Sequence, residues 1–232
     1  MGREALAAAE HRVSKHFPSV RTTTVQHVGS PAVLLAEISE DAFLTVVGAT
    51  GQVRLSAMLL GSIAMKLVTE GHSPLVVVRG SGDRVAQSGP VVLGVDTGPS
   101  SESAIAWAFD EASRRNTGLV AVHAWTAYQQ VYARRYRITA GANFEAEADG
   151  ERAAFSERLA GWREKYPDVA VETVLRNGDT AKTMLEFATG ARLVVVGSRG
   201  HGAVTGLVLG SISRSLIHHA PCPVLVARNR ST

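Results

Sequence analysis

Short apolar runs recur along the chain, separated by segments in which apolar positions return every three or four residues. In the second half, residues 91–95 form an apolar run stopped by Asp96 and a Thr-Gly-Pro-Ser-Ser turn, the mark of a buried strand. Residues 101–116 set Ala104, Ile105, Ala108 and Ala112 on one helical face, with Ser100 or Ser101 as N-cap. Leu119–Trp125 reads as a second strand. Residues 146–166 carry Phe155, Leu159 and Trp162 on one stripe until Pro167 stops the helix. Residues 169–175 alternate as an edge strand does. A helix over 180–189, a buried strand over 193–196, a helix over 211–220 and a strand at Val224–Ala227 complete the series. The order β-α-β-α-β-α-β-α-β predicts an α/β fold: an open parallel five-stranded sheet with helices on both faces.

The first half repeats the end of the second. Residues 29–79 align without a gap on residues 178–228 at a constant offset of 149, with about a third of the pairs identical. Gly48-Ala-Thr-Gly51 falls on Gly197-Ser-Arg-Gly200, and Gly61-Ser62-Ile63 on Gly210-Ser211-Ile212. A period this long indicates a duplicated domain rather than a solenoid unit. The first copy reads as a helix (5–16, before Pro18), strand 20–25, helix 31–39, strand 44–47, helix Ser62–Glu70 and strand Leu75–Val78. It lacks a first strand, first helix and second strand. The division expected is therefore residues 1–80 as an incomplete, N-terminally truncated copy, 81–89 as a polar linker, and 90–232 as a complete copy. The missing strand belongs at the centre of the sheet, so its loss separates strand 20–25 from strand 44–47 and leaves open edges.

Composition narrows the functional classes. Of 232 residues, 45% are hydrophobic and 19% charged, which excludes a disordered chain. One cysteine, Cys222, excludes an intrachain disulfide framework and a Cys-rich zinc site. A net charge of +3 gives little support for nucleic-acid binding, and no apolar run approaches the ~20 residues of a spanning helix. Glu4 and Glu10 interrupt the N-terminus where a signal peptide needs an apolar stretch, so a cytoplasmic protein is expected.

The chemistry concentrates in the segment from Gly197 to Ser211. Gly197 and Gly200 directly follow a buried strand, and Gly210-Ser211 open the next helix. Glycine lets backbone approach a ligand, and the unpaired N–H groups at a helix start suit phosphate. Ser211 and Ser213 add hydroxyl donors, and Arg199 and His201 add charge or hydrogen bonds. Asp96 ends a strand at the same carboxyl edge, placed to accept from a ribose hydroxyl or help hold a metal. The loop is not a Walker A, because no Lys-Ser/Thr ends it, and not a Rossmann fingerprint, which follows the first strand.

The spacing Gly-x2-Gly-x9-Gly-Ser, the following Ala-Pro-Cys-Pro-Val-Leu-Val, the strand ending Gly94-Val95-Asp96, and Trp162-x3-Tyr166-Pro167 together resemble the universal stress protein family. The resemblance covers residues 90–228 as a whole domain and 1–80 as the later part of another. It implies the adenine nucleotide alpha hydrolase-like strand order 3-2-1-4-5, ATP (with Mg) across the strand ends, and pairing of domains through their last strands. That pairing would involve Leu75–Val78 and Val224–Ala227, or a second copy of the chain. Carried over by position, Val95, Asp96 and Thr97 follow the adenosine and ribose, and Ala124 meets adenine through its backbone. Val196, Gly197, Arg199, Gly200, Gly210, Ser211, Ile212 and Ser213 line ribose and phosphates. The implied role is an ATP-binding stress-response or signalling module.

Two other classes remain open: a slow ATPase or adenylyl-transferring enzyme, and a nucleotide-free interaction scaffold. No catalytic residue stands out, and no Ser-Gly-Gly-x-Asp-Ser loop follows the first strand. Other features have plainer readings. Cys222 is a small structural thiol, and the adjacent His218 and His219 are partners of a helix C-terminus. Residues 128–137, which interleave Tyr with Arg134, Arg135 and Arg137, form a solvated flap, placed to fold over a nucleotide. Asp110, Glu111 and the run Glu145, Glu147, Asp149, Glu151 are a charged helix surface and helix start.

Overall fold

A computed structural model describes residues 2–49, 60–79, 88–96, 98, 101–125, 144–198 and 209–228. Most of the expected linker and the whole 128–137 segment lie outside the described residues. The helices are α1 (Gly2–His16), α2 (Pro31–Ile38), α3 (Ser62–Glu70), α4 (Glu102–Arg114), α5 (Phe144–Lys165), α6 (Thr180–Ala188) and α7 (Ser211–His219). The strands are β1 (Thr45–Gly48), β2 (Leu75–Val78), β3 (Val91–Gly94), β4 (Leu119–Trp125), β5 (Val171–Asn177), β6 (Leu193–Gly197) and β7 (Val224–Ala227).

The seven described strands belong to one sheet, ordered β1-β2-β7-β6-β3-β4-β5. Its parallel portion β5-β4-β3-β6-β7 is the 3-2-1-4-5 order expected of the second repeat. β2 then joins β7 antiparallel, and β1 pairs parallel with β2.

Both faces of the parallel portion are covered, which is why its strands read as unbroken apolar runs. Successive residues of β6 serve opposite cores. Val194 and Val196 pack with Leu67, Met184 and Leu216 under α3, α6 and α7. Leu193 and Val195 pack with Ile105, Phe109 and Leu159 under α4 and α5. Each fully buried aliphatic or aromatic side chain of this kind contributes about 1.5–3 kcal/mol.

The repeat is visible in the backbone. Thr45 pairs with Leu75 as Val194 pairs with Val224. Gly61 N–H donates to Ala49 O at 2.7 Å as Gly210 N–H donates to Ser198 O at 2.8 Å. Gly29 and Gly178, also 149 apart, share a φ of +143° ahead of α2 and α6, a value that L side chains rarely adopt.

Three expectations are corrected. No strand forms over 20–25: residues 21–27 have no regular structure, and Val20 and Val25 are exposed. The counterpart of this segment is β5, which among the described residues pairs only with β4, and the described part of the first repeat holds no counterpart of β4. For the same reason α1 buries nothing, whereas α5 buries Phe155 and Leu159 beneath α4. The β5 boundaries fall at 171–177 rather than 169–175, because pairing with β4 begins at Val171. Glu111 is not on the charged surface: it is buried in α4 and ion-paired with Arg115 one turn on. Cys222 is buried, and burial pushes its thiol up to about 11.

Position 46 and position 195 are the same site in the two repeats, yet Val46 is 58% exposed and Val195 0%. Val195→Thr places a hydroxyl in the core and is expected to cost about 1–3 kcal/mol, while Val46→Thr stays within about 0.5 kcal/mol. Urea unfolding midpoints check the contrast. For Cys222 the folded thiol ionises later than the unfolded one, so its contribution is intact below the unfolded value near 9 and is lost as pH rises toward 11. Midpoints of the parent and Cys222→Ala should therefore diverge below that window and converge through it.

Candidate functional site

Strand order alone sets the location of the site. From β3 the chain crosses through α4 to β4 on one side, while β6 lies on the other, so a crevice opens outside the carboxyl ends of these strands. A cleft of about 470 Å³ occupies that place. Its floor is thinned at Gly94, where an added Cβ would stand 3.0 Å from Val196 Cγ1 and 3.1 Å from Met184 Cε.

The β3 end is a rigid turn. Asp96 N–H donates to Ser101 Oγ at 2.9 Å, and the Ser101 hydroxyl donates back to Asp96 Oδ1 at 2.5 Å. Gly98 N–H donates to the same Oδ1 at 3.1 Å. Ser101 is buried at the start of α4, so Asp96 is held at the rim by the helix that follows it.

The β6 side supplies a helix start. Gly210 N–H is tied to Ser198 O, and the first intrahelical bond runs from Arg214 N–H to Gly210 O at 3.0 Å. The N–H groups of Ser211, Ile212 and Ser213 are thus left without helical acceptors at the cleft, where the helix dipole is positive. Ser213 is buried, and its hydroxyl donates to Gly197 O at 2.6 Å, so that proton braces the strand end. Ser211 is exposed.

The β4 end forms the third wall. Ala124 lies there, its carbonyl accepting from the Thr180 hydroxyl at 3.2 Å and keeping a second lone pair. The preceding residue, His123, is buried on the α4/α5 side; one ring nitrogen meets Val95 O at 2.9 Å, the other Glu151 Oε2 at 2.8 Å.

Of the residues singled out in the sequence, Val95, Asp96, Ala124, Val196, Gly197, Gly210, Ser211, Ile212 and Ser213 line this one cleft. Thr97, Arg199 and Gly200 lie outside the described residues. Ser101 and Glu151, read from the sequence only as a helix N-cap and part of a charged helix start, also line it, as do His123, Trp125, Thr180 and Met184, which the sequence did not mark. The strand alternation that places His123 on the buried face with Leu119 and Ala121 was the available signal for one of them. Among the described residues no three His, Cys, Asp or Glu side chains come together to hold a metal ion.

Comparison with known proteins matches residues 2–79 and 88–228 to the universal stress protein family. A universal stress protein of Mycobacterium tuberculosis is 39% identical over 98% of this chain and 77% of its own length. One of Mycolicibacterium smegmatis is 40% identical with the same coverage. A solved universal stress protein from Archaeoglobus fulgidus superposes with a TM-score of 0.66 at 19% identity, over 97% of this chain and 79% of that one.

Ser101→Ala removes the donor to Asp96 Oδ1 and the acceptor of Asp96 N–H together. It is expected to destabilise the chain by about 1–3 kcal/mol, read as a lower urea midpoint.

Proposed function

The chain belongs to the universal stress protein family, and we propose that its second repeat binds ATP and serves as a nucleotide-dependent stress-response or signalling module. The observation that carries this reading is the cleft itself: unpaired N–H groups of α7 on one wall, the Asp96 carboxylate on the next, and the β4 strand end on the third. The first suits phosphates, the second a ribose hydroxyl, the third a base. In this reading Val95, Asp96 and Thr97 follow the sugar, Ala124 faces the base, and Val196, Gly197, Arg199, Gly200, Gly210, Ser211, Ile212 and Ser213 surround ribose and phosphates. Mg would come with the phosphates, and Asp96, a described carboxylate at the β3 rim, would help hold it there.

Residues 90–232 act as the complete unit, and 1–80 as an incomplete copy leaning on it through β2. The protein works in the cytoplasm; no described helix is long and apolar enough to cross a membrane.

The test is the nucleotide released from purified protein, followed by titration with ATP. Asp96→Ala and Gly200→Val should each lower ATP affinity about tenfold or more, the first by removing a charged hydrogen bond. Unchanged affinity in both variants would remove the assignment, and turnover of bound ATP would move the protein from binding module to enzyme.

A further inference from the structure

His123 and Glu151 meet at the cleft, and ATP binding as proposed uses neither side chain. Both ring nitrogens of His123 face oxygen, and a backbone carbonyl such as Val95 O accepts only, so the nitrogen facing it carries hydrogen. The other nitrogen shares its proton with Glu151 Oε2 across 2.8 Å. The ring is further held against Phe155, with centroids 5.6 Å apart. His123 is therefore a fixed clamp, joining the end of β3, the end of β4 and α5. What it fixes is a carboxylate: Glu151 is partly exposed, lines the cleft, and engages His123 through one oxygen.

This carboxylate stands on the β4 side with Ala124, while the unpaired N–H groups stand at the start of α7. The two walls thus have opposite polarity. A phosphate is drawn to the N–H groups of α7, whereas Glu151 offers an oxygen acceptor and no donor to match it, so a nucleotide in the cleft places its phosphates at α7 and its base toward Glu151. A carboxylate oxygen there accepts from an amino group and opposes a carbonyl oxygen.

We propose that Glu151, clamped by His123, reads the exocyclic amino group of the base and thereby selects adenine over 6-oxo purines. This rests on the nucleotide-binding reading, and the experiment separates the two. ATP and inosine triphosphate differ at the 6-position, where an amino group is replaced by an oxo group, and at the adjoining ring nitrogen. Their dissociation constants are measured by calorimetry on the full chain, parent, Glu151→Gln and Glu151→Asp, with melting temperatures alongside. The parent should favour ATP by about tenfold or more. Glu151→Gln, whose amide can donate to an oxo group, should weaken ATP, strengthen inosine triphosphate and bring the ratio near one. Glu151→Asp keeps the charge, withdraws it by one methylene, and should reduce the ratio part-way even if the Gln variant does not fold. A ratio unchanged in a folded variant overturns the proposal and leaves nucleotide binding standing. Equal loss for both nucleotides with a lower melting temperature also overturns it, since that is what an α5 anchor alone would give. Failure of the parent to bind either nucleotide overturns the nucleotide-binding reading, and this proposal with it.

Discussion

The antiparallel pairing of β2 with β7 is the contact on which the first repeat depends. Leu75 faces Val226, Val76 faces Leu225 and Val77 faces Val224, so equivalent positions meet about an internal two-fold at Val76 and Leu225. The relation extends to side chains. Arg79 Nε donates to Ile217 O at 3.0 Å, and its equivalent Arg228 donates to Leu67 O at 3.0 Å and to Val68 O. Each arginine thus satisfies last-turn carbonyls of the other repeat's helix, where a cation is also favoured by the dipole. Burial pulls the Arg79 guanidinium below its ordinary value, a desolvation that these hydrogen bonds offset. Without this junction, β1 and β2 would be a two-stranded fragment with little core of its own.

The candidate cleft depends on the same sheet in a different way. Its walls are the carboxyl ends of β3, β4 and β6, and parallel pairing brings those ends to one edge. Small devices then hold the rim in place: the Asp96–Ser101 exchange at β3, Ser213 on Gly197 at β6, and Thr180 and His123 at β4. Each ties a strand end to the start or flank of a helix, so the described part of the cleft rests on regular elements.

This division explains what the sequence made legible. β3, β6 and β7 are buried on both faces, so their apolar runs marked them directly, and the 149-residue offset carried β1 and β2 with them. The glycine and serine positions at α7 were legible because helix starts and strand ends are local features. Strand 20–25 failed for the opposite reason: its β-branched Val and Thr residues suit a strand, but a strand needs a partner, and partnership is not local. Glu111 misled because charge suggested a surface, while its ion pair with Arg115 makes burial tolerable. The His123–Glu151 contact was beyond a local reading altogether, since it joins residues 28 apart through the docking of α5 on β4.

The two repeats also separate a motif from a site. Gly48 and Gly61-Ser62 reproduce the backbone of Gly197 and Gly210-Ser211, down to the bond from Gly61 N–H to Ala49 O and the first helical bond from Met65 N–H to Gly61 O. α3 therefore presents the same kind of unpaired helix start as α7. Yet β1 is the edge of the sheet, and Val46 lies open where Val195 is covered by β3 and α4. Among the described residues the first repeat has no strand in the place of β3, hence no carboxylate in the place of Asp96. Ala64 replaces Ser213, so the brace on the strand end is gone as well. A helix start becomes half of a cleft only where a neighbouring strand delivers the other half. In this chain that condition is met at α7, by β3, through the central position of a strand that the first repeat lacks.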